Sequence, residues 1–197
     1  MSRVKVKRKR EKASLKTKIG RNAWLFGILF IVVAIGVLSV SGNYFGSLSP
    51  GPTSSSTVNP NQVPNFHLTD VDGNTFDTDD FHGKVVVYEL MYVGCPACEA
   101  EMDALHSIAE RYGDKIVILT IDVQQSQTSQ QLAAYRNDHN ATLDNWIFAM
   151  DTDGVANYFA VSATPTLAFV TKDGLLSTRH VGYMTEDELA IQIEALL

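Results

Sequence analysis

A chain of 197 residues with 16 Lys and Arg, 22 Asp and Glu and a formal net charge of −6 is long enough to bury one sizeable core. Its charge is divided unevenly: residues 1–22 hold ten of the basic side chains and one acid, Glu11, whereas residues 63–197 carry 21 acids against six bases. That acidic balance excludes nucleic acid and anionic lipid as ligands of the C-terminal part, because both would be repelled.

Residues 1–22 read as a basic cytoplasmic tail. From Ala23 to Val40 the sequence runs eighteen residues without a charge, and Ser41 to Phe45 adds none. At 1.5 Å per residue such a helix crosses a hydrocarbon core about 30 Å thick, so residues 23–45 are expected to form a transmembrane anchor. Lys and Arg stay on the cytoplasmic side, which puts the N-terminus inside and the rest of this single-pass chain outside the cell membrane. "LSVSG" offers small residues to a signal peptidase, but the apolar part of a signal peptide is usually about 7–15 residues long, which favours a retained anchor. No cysteine follows the span closely, so a lipid-modified cysteine is not expected. Residues 46–62, rich in Ser, Thr, Pro, Gly and Asn, read as a flexible linker.

Residues 63–197 then have the size of one domain. "KVVVYELMYV" (84–93) predicts a buried strand interrupted by Glu89. From Pro96 to Tyr112 the apolar residues Cys98, Met102, Leu105, Ile108, Ala109 and Tyr112 recur at helical spacing, and Gly113 is placed to end the helix. "KIVILTID" (115–122) predicts a strand, residues 128–139 an amphipathic helix, "NWIFAMD" (145–151) a short strand and residues 155–161 a helical turn. "PTLAFVT" (165–171) and "LLSTRHV" (175–181) predict two strands joined by a "KDG" turn, and a capping box from Thr185 to Glu188 opens a last helix. Alternating strands and helices of this kind make a mixed α/β sandwich.

Cys95 and Cys98 are the only cysteines, two residues apart. Pro96 suits the first position of a helix, so Cys95 is expected to cap it, with its sulfur among free N–H groups that favour the thiolate. Cys98, one turn on, faces the core. One exposed, activated sulfur beside one shielded sulfur suits thiol–disulfide exchange, in which the first forms a mixed disulfide and the second resolves it. A structural disulfide is an alternative outside the cell, although so short a loop restrains little chain entropy. A zinc site would need further ligands, and His67, His82, His106, His139 and His180 are scattered.

"CPAC" between a buried strand and a helix, followed by "SATPT" before a late strand, resembles the thioredoxin fold, a three-layer α/β/α sandwich with a mixed central sheet. "VPNFHLTDVDGNTFDTDDFHGKVVVYEL" is similar to the hairpin and strand that lead into the active site in the redoxin branch. A membrane anchor joined to such a domain resembles the TlpA/ResA type of extracytoplasmic thiol–disulfide oxidoreductase. The resemblance covers essentially residues 63–197. It implies that Cys95 is the nucleophile and Cys98 the resolving cysteine, joined as a redox disulfide. Pro165 matches the cis-proline that leaves the backbone of Thr164 free to hold a substrate chain. Glu89 matches a buried acid that takes the proton of Cys98, unless it pairs with Lys84 or reaches solvent. Glu101 matches an acid near the pair in ResA-like members, or else serves the helix dipole. The family usually has Trp before the first cysteine, where this chain has Gly94; Tyr92 then supplies the aromatic surface beside Pro96.

Protein thiols and disulfides are the implied substrates, a membrane protein that supplies or accepts electrons the implied partner, and no cofactor is expected. Glu99, Glu101 and Asp103 crowd the first turn with negative charge, which weakens the thiolate and favours a reductase over a disulfide-forming oxidase of the same fold. A peroxiredoxin would carry threonine where Tyr92 stands, and a copper-delivery protein would space its cysteines by three. "NAT" at Asn140–Thr142 is an acceptor pattern for N-glycosylation.

Overall fold

The computed structural model describes residues 59–197. The expected basic tail, anchor and first part of the linker (46–58) lie outside the described residues. Among the described residues no helix is long and apolar enough to cross a membrane.

The described chain starts with a hairpin of β1 (His67–Thr69) and β2 (Thr75–Asp77), paired antiparallel. Its turn is held by Asp70, whose Oδ1 accepts from the backbone N–H of Asp72 at 2.9 Å and of Asn74 at 2.8 Å, while Gly73 adopts a φ of 90°. There follow β3 (Val85–Met91), α1 (Pro96–Tyr112), β4 (Ile116–Asp122), α2 (Ser129–Asp138), β5 (Trp146–Met150), the one-turn α3 (Val155–Tyr158), β6 (Thr166–Val170), β7 (Leu176–Val181) and α4 (Glu186–Glu194). The sheet order is β5-β4-β3-β6-β7: β3, β4 and β5 run parallel, and β6 and β7 antiparallel to their neighbours. This is the expected mixed sheet, and every strand and helix expected between residues 84 and 197 is present.

The ends differ by a few residues, for physical reasons. Tyr92 and Val93 leave the sheet to form the loop before Cys95, so β3 stops at Met91. Tyr112 to Lys115 close α1 through Gly113, whose φ of 52° ends the helix. The expected capping box at Thr185 is present, with Thr185 Oγ1 accepting from the Glu188 N–H at 3.3 Å, and a second one, Thr128 with Gln131, opens α2.

Because side chains alternate along a strand, β3 and β4 feed two separate cores. Val85, Val87, Met91, Ile116 and Ile118 face α1, α2 and α4, together with Cys95, Cys98, Leu105, Ile108, Leu132, Tyr135, Leu189 and Ile193. Val86, Tyr88, Leu90, Val117, Leu119 and Ile121 face the other side, where Phe66, Leu68, Val155 and Phe159 cover them. The second covering layer is thin, made of the hairpin segment and the single turn α3 rather than of full helices.

Candidate active site

β3 and α1 are joined by Tyr92, Val93 and Gly94, and this short loop is clamped. The Gln127 side chain holds both polar groups of Val93: its Oε1 accepts from Val93 N–H at 2.9 Å and its Nε2 donates to Val93 O at 2.6 Å. Gly94 then takes a φ of 89°, a backbone region that L side chains avoid, and Cys95 N–H donates to Tyr92 O at 3.1 Å. The loop delivers Cys95 to the N-cap of α1, with Pro96 at the first helical position.

Cys95 and Cys98 are joined by a disulfide. Cys95 Sγ accepts from the Cys98 backbone N–H at 3.3 Å and lies 3.4 Å from Thr164 Oγ1. Two donors directed at one sulfur favour negative charge there once the bond is opened. Cys98 is fully buried. Cys95 departs from the exposed sulfur that the sequence suggested: it is only 3% exposed, because in the closed bridge it is tucked under its own helix start and against Thr164. Thr164 and Pro165 are linked by a cis peptide bond and precede β6.

Glu89 shares the face of β3 that carries Val87 and Met91, and it is fully buried among the side chains that surround the disulfide. Neither Lys84 nor solvent reaches it. Its Oε2 accepts from Thr120 Oγ1 at 2.7 Å, and Oε1 finds no protein partner among the described residues. Burial pushes its pKa up to about 7, against the opposing pull of the Thr120 bond. Glu101 is no surface acid of the first turn. It is fully buried between α1 and the start of α4, where its Oε1 accepts from the Met184 N–H at 2.6 Å. Burial, and then the charge of Glu89, push its pKa up to about 8. The charge crowding α1 therefore comes from Glu99 and Asp103, not from three acids.

Five further residues, Thr120, Asp122, Tyr135, Trp146 and Tyr183, join this network or its rim and were not singled out in the sequence. Asp122, 1% exposed at the end of β4, accepts from Gln124 N–H at 2.8 Å and from Val93 N–H at 3.3 Å, and burial raises its pKa. Tyr135, 5% exposed, has a hydroxyl without a protein partner among the described residues, and its pKa is raised by burial and by Glu89, Glu99 and Glu101. Trp146 donates from Nε1 to Thr120 Oγ1 at 2.8 Å. Tyr183, exposed beside Gly182, lies next to the proline loop because Gly182 N–H donates to Pro165 O at 2.8 Å. Tyr92, by contrast, is half-buried against the core. The signal for Thr120 and Asp122 was a polar residue at alternate positions of an otherwise apolar strand, "ILTID". Among the described residues no cluster of His, Cys, Asp and Glu is arranged to hold a metal ion.

Comparison with known proteins points the same way. The chain is similar to the thioredoxin-like protein YneN of Bacillus subtilis, 24% identical over 172 residues that cover 87% of this chain and 96% of that one. It is 25% identical over 170 residues to the thiol-disulfide oxidoreductase ResA of Geobacillus kaustophilus, covering 86% of this chain and 91% of the relative. Among solved structures it resembles the exposed lipoprotein thioredoxin Etrx1 of Streptococcus pneumoniae, with a TM-score of 0.57 and 29% identity over 68% of this chain and all of that one. A thiol:disulfide interchange protein of Chlorobium tepidum, 17% identical, shares the fold with a TM-score of 0.62 over 70% of this chain and 97% of its own. The Redoxin family profile matches residues 59–195. With its bonded cysteine pair at the start of α1, the chain belongs to the Redoxin family and is a thiol–disulfide oxidoreductase of the TlpA/ResA-like kind.

Proposed function

We propose that this chain is a membrane-anchored, outward-facing enzyme that reduces protein disulfides, with Cys95 as the attacking and Cys98 as the resolving sulfur. The observation that carries the reading is the pairing of a helix-capping sulfur held by two donors with a fully buried partner sulfur, set among two buried acids. Cys95 stabilises its thiolate through the Cys98 amide, the helix start and Thr164. Cys98 lies in apolar surroundings that hold its proton, and Glu89, poised near neutrality, takes that proton when resolution is due. Glu101 shares the same buried charge and ties α1 to the loop that follows β7. The cis Thr164–Pro165 segment and exposed Tyr183 form the rim on which a substrate backbone is held.

Two features bear on direction. The donors around Cys95 favour the thiolate, whereas Glu89 and Glu101 in the same core oppose any further negative charge near Cys98. The second effect acts on the shielded sulfur, where screening is weakest, and a poorly stabilised dithiolate makes a weak oxidant. Residues 1–45 support the anchor and the outward orientation through their charge pattern and the uncharged run. A reductase outside the membrane needs electrons handed across it, so a membrane electron donor is the proposed partner.

Cys98→Ser should trap substrate proteins as mixed disulfides on Cys95 in the full-length chain, whereas Cys95→Ser should trap none. The reduction potential of the pair should lie near that of thioredoxin, about −270 mV; a value near about −120 mV would make the protein a disulfide-forming enzyme. Equal trapping by both variants would overturn the assignment of attacking and resolving sulfurs.

A further inference from the structure

The Glu89 carboxyl ends a hydrogen-bond chain that crosses three strands. Glu89 on β3 stands in register with Thr120 on β4, and Trp146 begins β5 on the far side. Trp146 Nε1 lies 2.8 Å from Thr120 Oγ1, and Thr120 Oγ1 lies 2.7 Å from Glu89 Oε2. All three residues are shielded: Glu89 and Thr120 have no exposed surface and Trp146 is 4% exposed. Stacking on Phe148 at 5.5 Å and an edge contact with His106 at 6.2 Å hold the indole in place.

The chain has a direction set by chemistry. An indole N–H can donate and cannot accept, so Thr120 Oγ1 must be the acceptor toward Trp146. The hydroxyl has a single hydrogen, which is left for Glu89. Glu89 Oε2 is the oxygen that accepts it, so a proton on Oε1 keeps this bond, whereas a proton on Oε2 would break it and leave the hydroxyl hydrogen without its acceptor. Oε1 has no partner in the protein among the described residues.

We infer that Trp146 and Thr120 are positioning residues for disulfide exchange: together they reserve Glu89 Oε1 as the oxygen that takes and returns the proton of Cys98. The inference rests on the proposed role of Glu89. In the resolving step the proton on Cys98 Sγ passes to Oε1, and the Cys98 thiolate attacks Cys95 Sγ. The bond between Cys95 and the substrate sulfur breaks as the Cys95–Cys98 bond forms. The substrate sulfur leaves with the electron pair and takes its proton from solvent, so the substrate disulfide is reduced and the enzyme dithiol oxidised. The titratable groups around Glu89 are the cysteine pair and Glu101 from α1 and Tyr135 from α2. From β6 only apolar Leu167 stands in register with it. None of these hydrogen-bonds to Oε2 in the structure, where Thr120 is the donor.

The test is the pH dependence of resolution in the full-length protein in detergent, followed by rapid acid quench after mixing reduced enzyme with an excess of a small disulfide peptide. The phase independent of peptide concentration reports resolution. Thr120→Val removes the donor that stabilises the carboxylate. It should move the half-maximal pH upward by roughly one unit, a fall of up to about tenfold in rate near pH 6. Trp146→Phe frees the hydroxyl to turn away and should move it in the same direction by less, while Thr120→Ser should restore the original profile. A profile left unmoved by Glu89→Gln would overturn the role of Glu89 itself. A profile flattened by Glu89→Gln but unmoved by Thr120→Val and Trp146→Phe would overturn the positioning chain alone. Should one variant fail to fold, the other carries the same test. The carboxyl-carbon titration of Glu89 in the oxidised wild-type and Thr120→Ser proteins supplies a second measure: a changed value in Thr120→Ser would contradict the proposed donor.

Discussion

The two faces of the central sheet are built from alternate residues of the same strands, yet they differ in kind. The face under Phe66, Leu68, Val155 and Phe159 is apolar apart from the hydroxyls of Thr78 and Thr166 and from Tyr88, whose pKa burial pushes up to about 12. The face under α1, α2 and α4 holds the disulfide, two buried carboxyls, Thr120, Asp122, Tyr135 and the Trp146 N–H. Unpaired polar atoms in such a place cost stability, and Glu89 Oε1, Glu101 Oε2 and the Tyr135 hydroxyl are all on this face. One face holds the sheet together and the other uses part of that stability to hold protons beside a disulfide.

Substitutions on the two faces should therefore separate stability from chemistry. The largest loss of stability is expected from Phe159→Ala on the apolar face, where the ring packs 4.9 Å from Tyr88 and 5.0 Å from Tyr158. Denaturant unfolding should show a loss of about 3–5 kcal/mol. The reduction potential should stay within about 10 mV of the wild type, and a larger change would show that the faces are coupled.

Glu89→Gln should do the opposite. The carboxyl holds its proton up to about 7 in the folded chain against an ordinary value of 4.5, so the folded state binds more protons between these limits. The contribution of its neutral form is complete below pH 4.5 and is lost as the pH rises through about 7. The amide cannot ionise, so the variant should gain on the wild type by roughly 3 kcal/mol between about pH 4 and about pH 8. Urea titrations at the two pH values measure this, and a constant difference would mean that Glu89 is not desolvated as described.

A smaller effect, about 1 kcal/mol, is expected for Thr185→Ala, which removes the cap of α4 one residue after the Met184 amide that holds Glu101. Because it loosens that amide, it should also shift the pH profile, as no substitution on the other face would. The smallest effect belongs to the surface pair of half-buried Arg136 with exposed Asp72. Asp72→Ala should cost under about 0.5 kcal/mol, and less in high salt.

Much of this arrangement was legible in the sequence, and the part that was not shares one physical cause. Pro96 after Cys95, the helical spacing down to Tyr112 and the capping box at Thr185 are local signals, read from neighbours in the chain. The interruption of β3 by Glu89 was visible for the same reason. The burial of Glu101 depends on an amide 83 positions away, and in sequence it is indistinguishable from any acid in a first helical turn. Thr120 and Trp146, 26 positions apart, acquire their meaning only from the register of β3, β4 and β5. The near-burial of Cys95 follows from Thr164, 69 positions on. Long-range pairings of side chains leave no periodic trace, so they escape any reading of local pattern.

Gly94 has a further consequence for how this chain could change. Its φ of 89° leaves open space where a side chain would project, so room is not what keeps it a glycine. Backbone torsion is. A single substitution to tryptophan would force an L residue into that conformation or unfasten the loop from Gln127. Installing an aromatic side chain there would take two changes in step, one that relaxes the loop and one that adds the ring.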